Sequence, residues 1–200
     1  MNKQEEFVKL QKQIKKCRLC RKQFGFSPKP LVWGDYNAKI VQISQAPSLT
    51  AYTRGKVWVD KGGEKLKREW YQISDETFYN PQNFYITAIS HCYPGRSKSG
   101  DKSPPIICAK TWLVQELEVL SPQLFIVIGS AAAKFLFPGQ NFTELVMKNQ
   151  ILKGKPCLVL PHPSPQNIKW FKENPNFKSK RLPQIRKAIK VALYFLPKVI

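Results

Sequence analysis

The spacing of hydrophobic positions changes several times along the chain, and each change marks an element. Phe7, Leu10 and Ile14 recur at helical spacing, which predicts an amphipathic helix from about Gln4 to Lys16 that packs by one stripe. Lys39-Ile40-Val41-Gln42-Ile43 is instead a short β-branched run, the pattern of a parallel strand covered on both faces. Three more such runs follow: Phe84-Tyr85-Ile86-Thr87-Ala88-Ile89, Leu124-Phe125-Ile126-Val127-Ile128 and Cys157-Leu158-Val159-Leu160. Between them lie helical segments. One runs from Glu64 to Tyr71, and one opens at Pro104-Pro105 with Ile107, Trp112, Leu113, Leu117 and Leu120 on its apolar side. A third starts after Gly129-Ser130, and the last carries Leu182, Ile185, Ile189, Ala192, Leu193 and Leu196 inward with Arg186, Lys187 and Lys190 on its polar face. Strands alternating with helices predict an α/β fold: a three-layer α/β/α sandwich around a central four-stranded parallel sheet, as one domain over residues 1–200.

In such sheets ligands gather beyond the carboxyl ends of the strands. The first strand runs into Ser44-Gln45-Ala46-Pro47-Ser48, and the fourth delivers Pro161-His162-Pro163-Ser164-Pro165-Gln166-Asn167. A histidine between two prolines has little conformational freedom, which suits either a hydrogen bond to a substrate or a structural turn. The loop Arg54-Gly55-Lys56-Val57-Trp58-Val59-Asp60-Lys61-Gly62-Gly63 mixes glycines, cations and one large aromatic. Trp58 is equally readable as a stacking platform or as a core residue.

Cysteine adds a second centre. Cys17-Arg18-Leu19-Cys20 pairs two thiols closely, whereas fifteen residues separate Cys92 from Cys108. Four thiolates suit zinc and iron–sulfur clusters alike. The long second loop favours the bulkier cluster, with zinc as the alternative. Cys157 lies inside an apolar run and reads as core.

Charge narrows the partner. Thirty-three Lys and Arg against thirteen Asp and Glu leave a formal +20 on 200 residues, with 42% hydrophobic and 12% aromatic positions. That balance predicts a polyanionic partner, nucleic acid before a membrane surface. No apolar run is long enough to span a bilayer, and Met1-Asn2-Lys3-Gln4-Glu5-Glu6 is not an apolar signal region, so the expected setting is the reducing cytoplasm.

With these motifs in place, the chain resembles the uracil-DNA glycosylase superfamily, most closely its iron–sulfur family 4 branch. Cys17, Cys20, Cys92 and Cys108 fall in the order of that branch's cluster ligands. Ser44-Gln45-Ala46-Pro47-Ser48 through Gly63 aligns without a gap to its first motif, and His162-Pro163-Ser164 to its last. The Pro165-Gln166-Asn167 extension is more similar to the single-strand-selective branch. The resemblance implies a four-iron four-sulfur cluster on the four cysteines and a monomer that extrudes a deaminated base, uracil foremost, from DNA and hydrolyses its N-glycosidic bond.

It also implies residue roles. Gln45 and His162 would be catalytic; Ala46, Pro47, Trp58, Ala88 and Ser164 would bind the base; Arg54, Lys56, Lys61, Gln166, Asn167 and Lys169 would contact DNA. Two positions depart from the branch. Gln45 replaces a glutamate that assists water, and Ala88 replaces an asparagine that reads the uracil edge. A glutamine orients water without acting as a base, and alanine makes no paired contact to a base edge. The competing expectation is therefore a cluster-bearing protein that binds lesions without cutting.

Overall fold

The computed structural model describes residues 2–25, 27–98 and 100–195, with the side chains of residues 22–24 left aside; Leu196 lies outside the described residues. The strands are β1 (Ile40–Ser44), β2 (Phe84–Ala88), β3 (Arg96–Ser97), β4 (Gly100–Asp101), β5 (Leu124–Ile128), β6 (Gln150–Leu152) and β7 (Lys155–Leu160). The main sheet has the order β2-β1-β5-β7-β6, and β3 with β4 forms a separate two-stranded ribbon. Every residue of β1, β2 and β5 is buried, as expected of strands covered on both faces.

Both coverings can be read from β2. Tyr85 points toward the Lys3–Lys15 helix, where Phe7 meets it edge-on at 5.6 Å, and toward the segment Val114–Val119 through Glu116. Phe84 points the other way, stacking with Tyr71 at 6.2 Å and packing against Phe78. Tyr71 also satisfies buried Gln42 of β1, donating its hydroxyl to Oε1 at 2.7 Å. The final helix, Leu182–Tyr194, closes that second layer; its Arg186 donates to the carbonyl oxygens of Trp70 and Glu69 at 3.1 and 2.6 Å. Arg186 is thus a structural clamp rather than part of a free polar face.

The four predicted strands pair in parallel, and β6 adds an antiparallel edge the hydrophobic pattern did not announce. It is three residues long and joins β7 through Lys153 and Gly154, both at positive φ (52° and 74°), as a tight hairpin turn requires. The segment after Pro105 winds as α-helix Ile106–Cys108, a wider π-turn Ala109–Leu113 and then Val114–Val119. Leu113 and Leu117 enter the core as predicted, but Ile107 is 39% exposed because the first turn sits at the sheet's margin. Cys157 is core, 1% exposed.

The order of the sheet fixes the site. After β1 the chain goes to β2 on one side, and later returns to β5 on the other. Where the connections diverge in this way, the carboxyl ends of neighbouring strands leave a crevice.

Candidate active site and cysteine centre

A cavity of about 740 Å³ occupies that crevice. Each parallel strand contributes to its wall: Ser44 to Pro47 after β1, Ala88 at the end of β2, Gly129 and Ser130 after β5, and His162 with Ser164 after β7. All seven residues expected to be catalytic or base-binding line it, as do Gln166 and Asn167. Arg54, Lys56, Lys61 and Lys169 do not; they stand exposed outside the wall, Lys56 with its ammonium 3.9 Å from the Tyr79 ring centre and Lys169 beside Glu173.

His162 is held from two sides. The Ser164 backbone N–H donates to its Nδ1 at 3.2 Å, and Asn167 Nδ2 donates to its carbonyl oxygen at 2.7 Å. With Nδ1 accepting, the proton of a neutral imidazole resides on Nε2. Burial lowers its pKa from the ordinary value, partly offset by the Asp60 carboxylate, so the neutral ring prevails at neutral pH. Gly129 has φ +89°, and a Cβ there would stand 3.8 Å from that of His162.

Trp58 stacks on His162, ring centres 5.7 Å apart and planes 27° from parallel. It is packed as a core residue, 9% exposed, and at the same time forms part of the cavity wall. Its φ of +52° is costly for a bulky residue, and such conformations persist only where the surroundings over-determine them. Tyr79 supplies that constraint, donating its hydroxyl to the carbonyls of Val57 (2.9 Å) and Trp58 (3.1 Å). Gly63 packs so tightly beneath that a Cβ would lie 2.0 Å from the Trp58 oxygen, which accounts for glycine at position 63. Asp60 caps the short helix Lys61–Glu64 by accepting from Gly63 N–H at 2.9 Å and also faces the cavity. The Gln45 side chain has no hydrogen-bond partner among the described residues, although its backbone carbonyl accepts from Ser90 N–H at 3.0 Å.

The four cysteines are brought together. Burial, then the neighbouring sulfurs, push the thiols of Cys20 and Cys92 up to about 11 and about 12; Cys17 and Cys108 are among the sulfurs felt by both. Among the described residues, no three His, Cys, Asp or Glu side chains stand close enough to share a single ion. Donors point at two of the sulfurs: Trp112 Nε1 reaches Cys17 at 3.2 Å, and the His91 backbone N–H and Nδ1 reach Cys108 at 3.4 and 3.3 Å. His91 Nε2 continues to Glu116 at 3.0 Å, where Thr87 and Tyr85 also donate. Burial alone would lower the His91 pKa, but Glu116 and Cys108 outweigh it and raise it to about 10. Sequence reading missed this network, since one histidine and one glutamate 25 residues apart carry no motif.

With the crevice, its histidine and the thiols located, comparison with known proteins becomes informative. The profile of the uracil DNA glycosylase superfamily matches residues 31–186. The chain belongs to that superfamily. It is 26% identical over 131 residues to the type-4 uracil-DNA glycosylase of Saccharolobus solfataricus, covering 64% of this chain and 58% of the relative. It is 22% identical over 150 residues to the type-5 uracil-DNA glycosylase of Pyrobaculum aerophilum, covering 68% and 66%. A DNA polymerase of Bacillus phage SP01 shares 24% identity over 140 residues, 70% of this chain but 15% of that protein. The superfamily assignment accords with the mostly parallel sheet, and the matches span less than two thirds of the length of either glycosylase. Among the described residues no helix is long and apolar enough to cross a membrane.

Other cavity residues escaped the sequence reading. Gly129 and Ser130 could have been found from their place after a strand. Arg96 and Asp101 could not, because nothing in the pattern announces that the cysteine loop folds back as a ribbon.

Proposed function

We propose that this protein is a monomeric DNA N-glycosylase that draws a deaminated base, uracil first among them, into the cavity and hydrolyses its N-glycosidic bond, leaving an abasic site. The observation that carries the reading is His162: a neutral imidazole whose Nδ1 is occupied, presenting Nε2–H inside a crevice built by four strand ends. Negative charge grows on the base as the bond to the sugar lengthens, and a preorganised donor facing it stabilises the transition state more than the ground state. Gln45, with its amide uncommitted, orients the water that meets the oxocarbenium-like sugar without taking its proton. Trp58 offers a stacking surface, and extrusion costs a few kcal/mol, least for a mispaired base. The surrounding +20 chain supplies the attraction for phosphates.

Cys17, Cys20, Cys92 and Cys108 fit a four-iron four-sulfur cluster by donor chemistry: four thiols within electrostatic reach of one another, two already receiving N–H···S contacts of the kind that stabilise ligating thiolates. Bound there, the cluster would tie the end of the first helix to the loop after β2.

A second reading is supported by Gln45 and Ala88, neither of which provides a base or an edge-reading contact: lesion binding without cutting. Oligonucleotides carrying uracil, hypoxanthine or xanthine, incubated with excess protein and then treated with alkali, separate the two. Strand scission at uracil is the expected result. Binding with no scission at any of the three would leave the second reading.

A further inference from the structure

We propose that Arg96 binds the DNA phosphate beside the captured base, making the loop between Cys92 and Cys108 a substrate-binding wall as well as a metal-binding segment. The inference rests on reading the cavity as a site for a nucleotide in DNA. Although the chain has 33 Lys and Arg, Arg96 is the one cation among the described residues that line the cavity. Its guanidinium is exposed and has no hydrogen-bond or ion-pair partner among the described residues, even though Asp101 is its direct neighbour across the ribbon. The two lining carboxylates are already engaged: Asp60 accepts from Gly63 N–H, and Asp101 accepts from the Tyr93 hydroxyl at 3.0 Å.

The ribbon is fixed where it stands. Tyr93, adjacent to Cys92, is 8% exposed and ties Asp101, while Lys102 N–H donates to the Gly95 carbonyl at 2.9 Å. Arg96 is therefore delivered by the cysteine loop to the mouth of the cavity, not to its floor. A planar, permanently charged fork at a pocket mouth suits a phosphate, whereas a group reading a base edge belongs deeper and drier. A phosphate contact of this kind should also appear in the salt dependence of binding, because each one displaces counterions.

The test uses full-length protein with its iron quantified, and a labelled duplex bearing a tetrahydrofuran abasic analogue that cannot be cut, read by fluorescence anisotropy from 50 to 200 mM salt, the range in which phosphate contacts tell about most. Arg96→Ala should weaken binding about tenfold and flatten the log–log salt slope by about 0.9. Arg96→Lys should restore most of both. If Arg96→Ala loses iron, Arg96→Gln, which keeps most of the side chain, takes its place. Unchanged affinity and slope would overturn the proposal, and so would a Lys variant as weak as Ala with the wild-type slope, which would indicate base reading. The outcomes separate from those of the glycosylase reading: a protein that cuts no base yet shows the Arg96 slope change keeps this inference and loses that one, and a protein that cuts uracil without the slope change does the reverse.

Discussion

At the end of β2, two regions four residues apart are built on opposite terms. Cys92 and its surroundings belong to a closed polar system in which Cys17 and Cys108 receive N–H donors and Glu116 gathers His91, Thr87 and Tyr85, almost all of it buried. Ala88 and, across the strand pair, Gln45 face the cavity with no side-chain hydrogen bonds to protein among the described residues. A change in the first region orphans buried groups at about 1–3 kcal/mol each. A change in the second leaves the fold's hydrogen bonds as they were. The cysteine centre is thus costly to alter, while the cavity wall can change at little structural cost.

The comparison breaks most sharply at the cysteines. Cys92→Ser or Cys108→Ser should abolish most of the soluble folded yield, since metal binding and folding are linked. Anaerobically purified wild type should be brown, with about four iron and four sulfide per chain. A colourless protein holding one zinc would mean that the four thiols bind zinc and not an iron–sulfur cluster.

Next in size is His162→Ala. Under the proposed function this substitution removes a donor used mainly in the transition state, and single-turnover uracil excision should slow by about a hundredfold or more, with DNA affinity nearly unchanged. The same residue sets a pH signature. Its pKa lies below the ordinary 6.5, so the wild-type rate should hold as pH falls through 6.5 and decline only below it, when a proton arrives on Nδ1 and displaces the Ser164 N–H. Linkage has the matching sign: the preference for neutral His162 supports folding above the unfolded value and is lost as pH drops through the folded one. A rate that falls centred on 6.5 or above would contradict the buried neutral imidazole.

These two regions also differ in how far the sequence exposed them. Parallel strands, their carboxyl-end loops and the thiol spacing were legible because each depends on local pattern: β-branched runs, small residues after strands, and Cys-x-x-Cys. The structure brought Gln45, Trp58, Ala88 and His162 to one cavity because all four sit in or just beyond strand ends or in the loop facing them. What stayed hidden depends on contacts between distant segments. Arg186 reads as a solvated face until Trp70 and Glu69 offer their carbonyls, and nothing in the sequence signals that the exposed Lys56 ammonium rests over the Tyr79 ring. Edge strand β6 was missed because three residues are too few to establish a period, although Lys153-Gly154 marked its turn.

Trp58→Ala tests the cavity wall itself. Loss of a stacking platform is valued at about 1–3 kcal/mol per base, so productive binding should weaken by roughly 5- to 150-fold along with the rate. Trp58→Phe, which keeps an aromatic face against His162, should recover much of that in the same single-turnover titration. Equal losses in both variants would mean that Trp58 acts only by filling the core.

The smallest effect should come from giving the second region what the family 4 branch has there. Gln45→Glu places a carboxylate where an uncommitted amide now faces the cavity, and Ala88→Asn adds an amide able to pair with the uracil edge. Neither change breaks a hydrogen bond of the fold, so melting temperature should move little. A positioned base is worth about a hundredfold or more, but nothing in the present wall holds the new carboxylate, and about a tenfold gain in uracil excision by the double variant is the expected outcome. The single variants sharpen the result. If Ala88→Asn alone favours uracil over hypoxanthine, position 88 selects the base; if Gln45→Glu alone raises the rate on both, position 45 acts on water. A double variant that is less stable by several kcal/mol, as measured by urea unfolding, would show that this wall is as constrained as the cysteine centre, and the contrast between the two regions would fail.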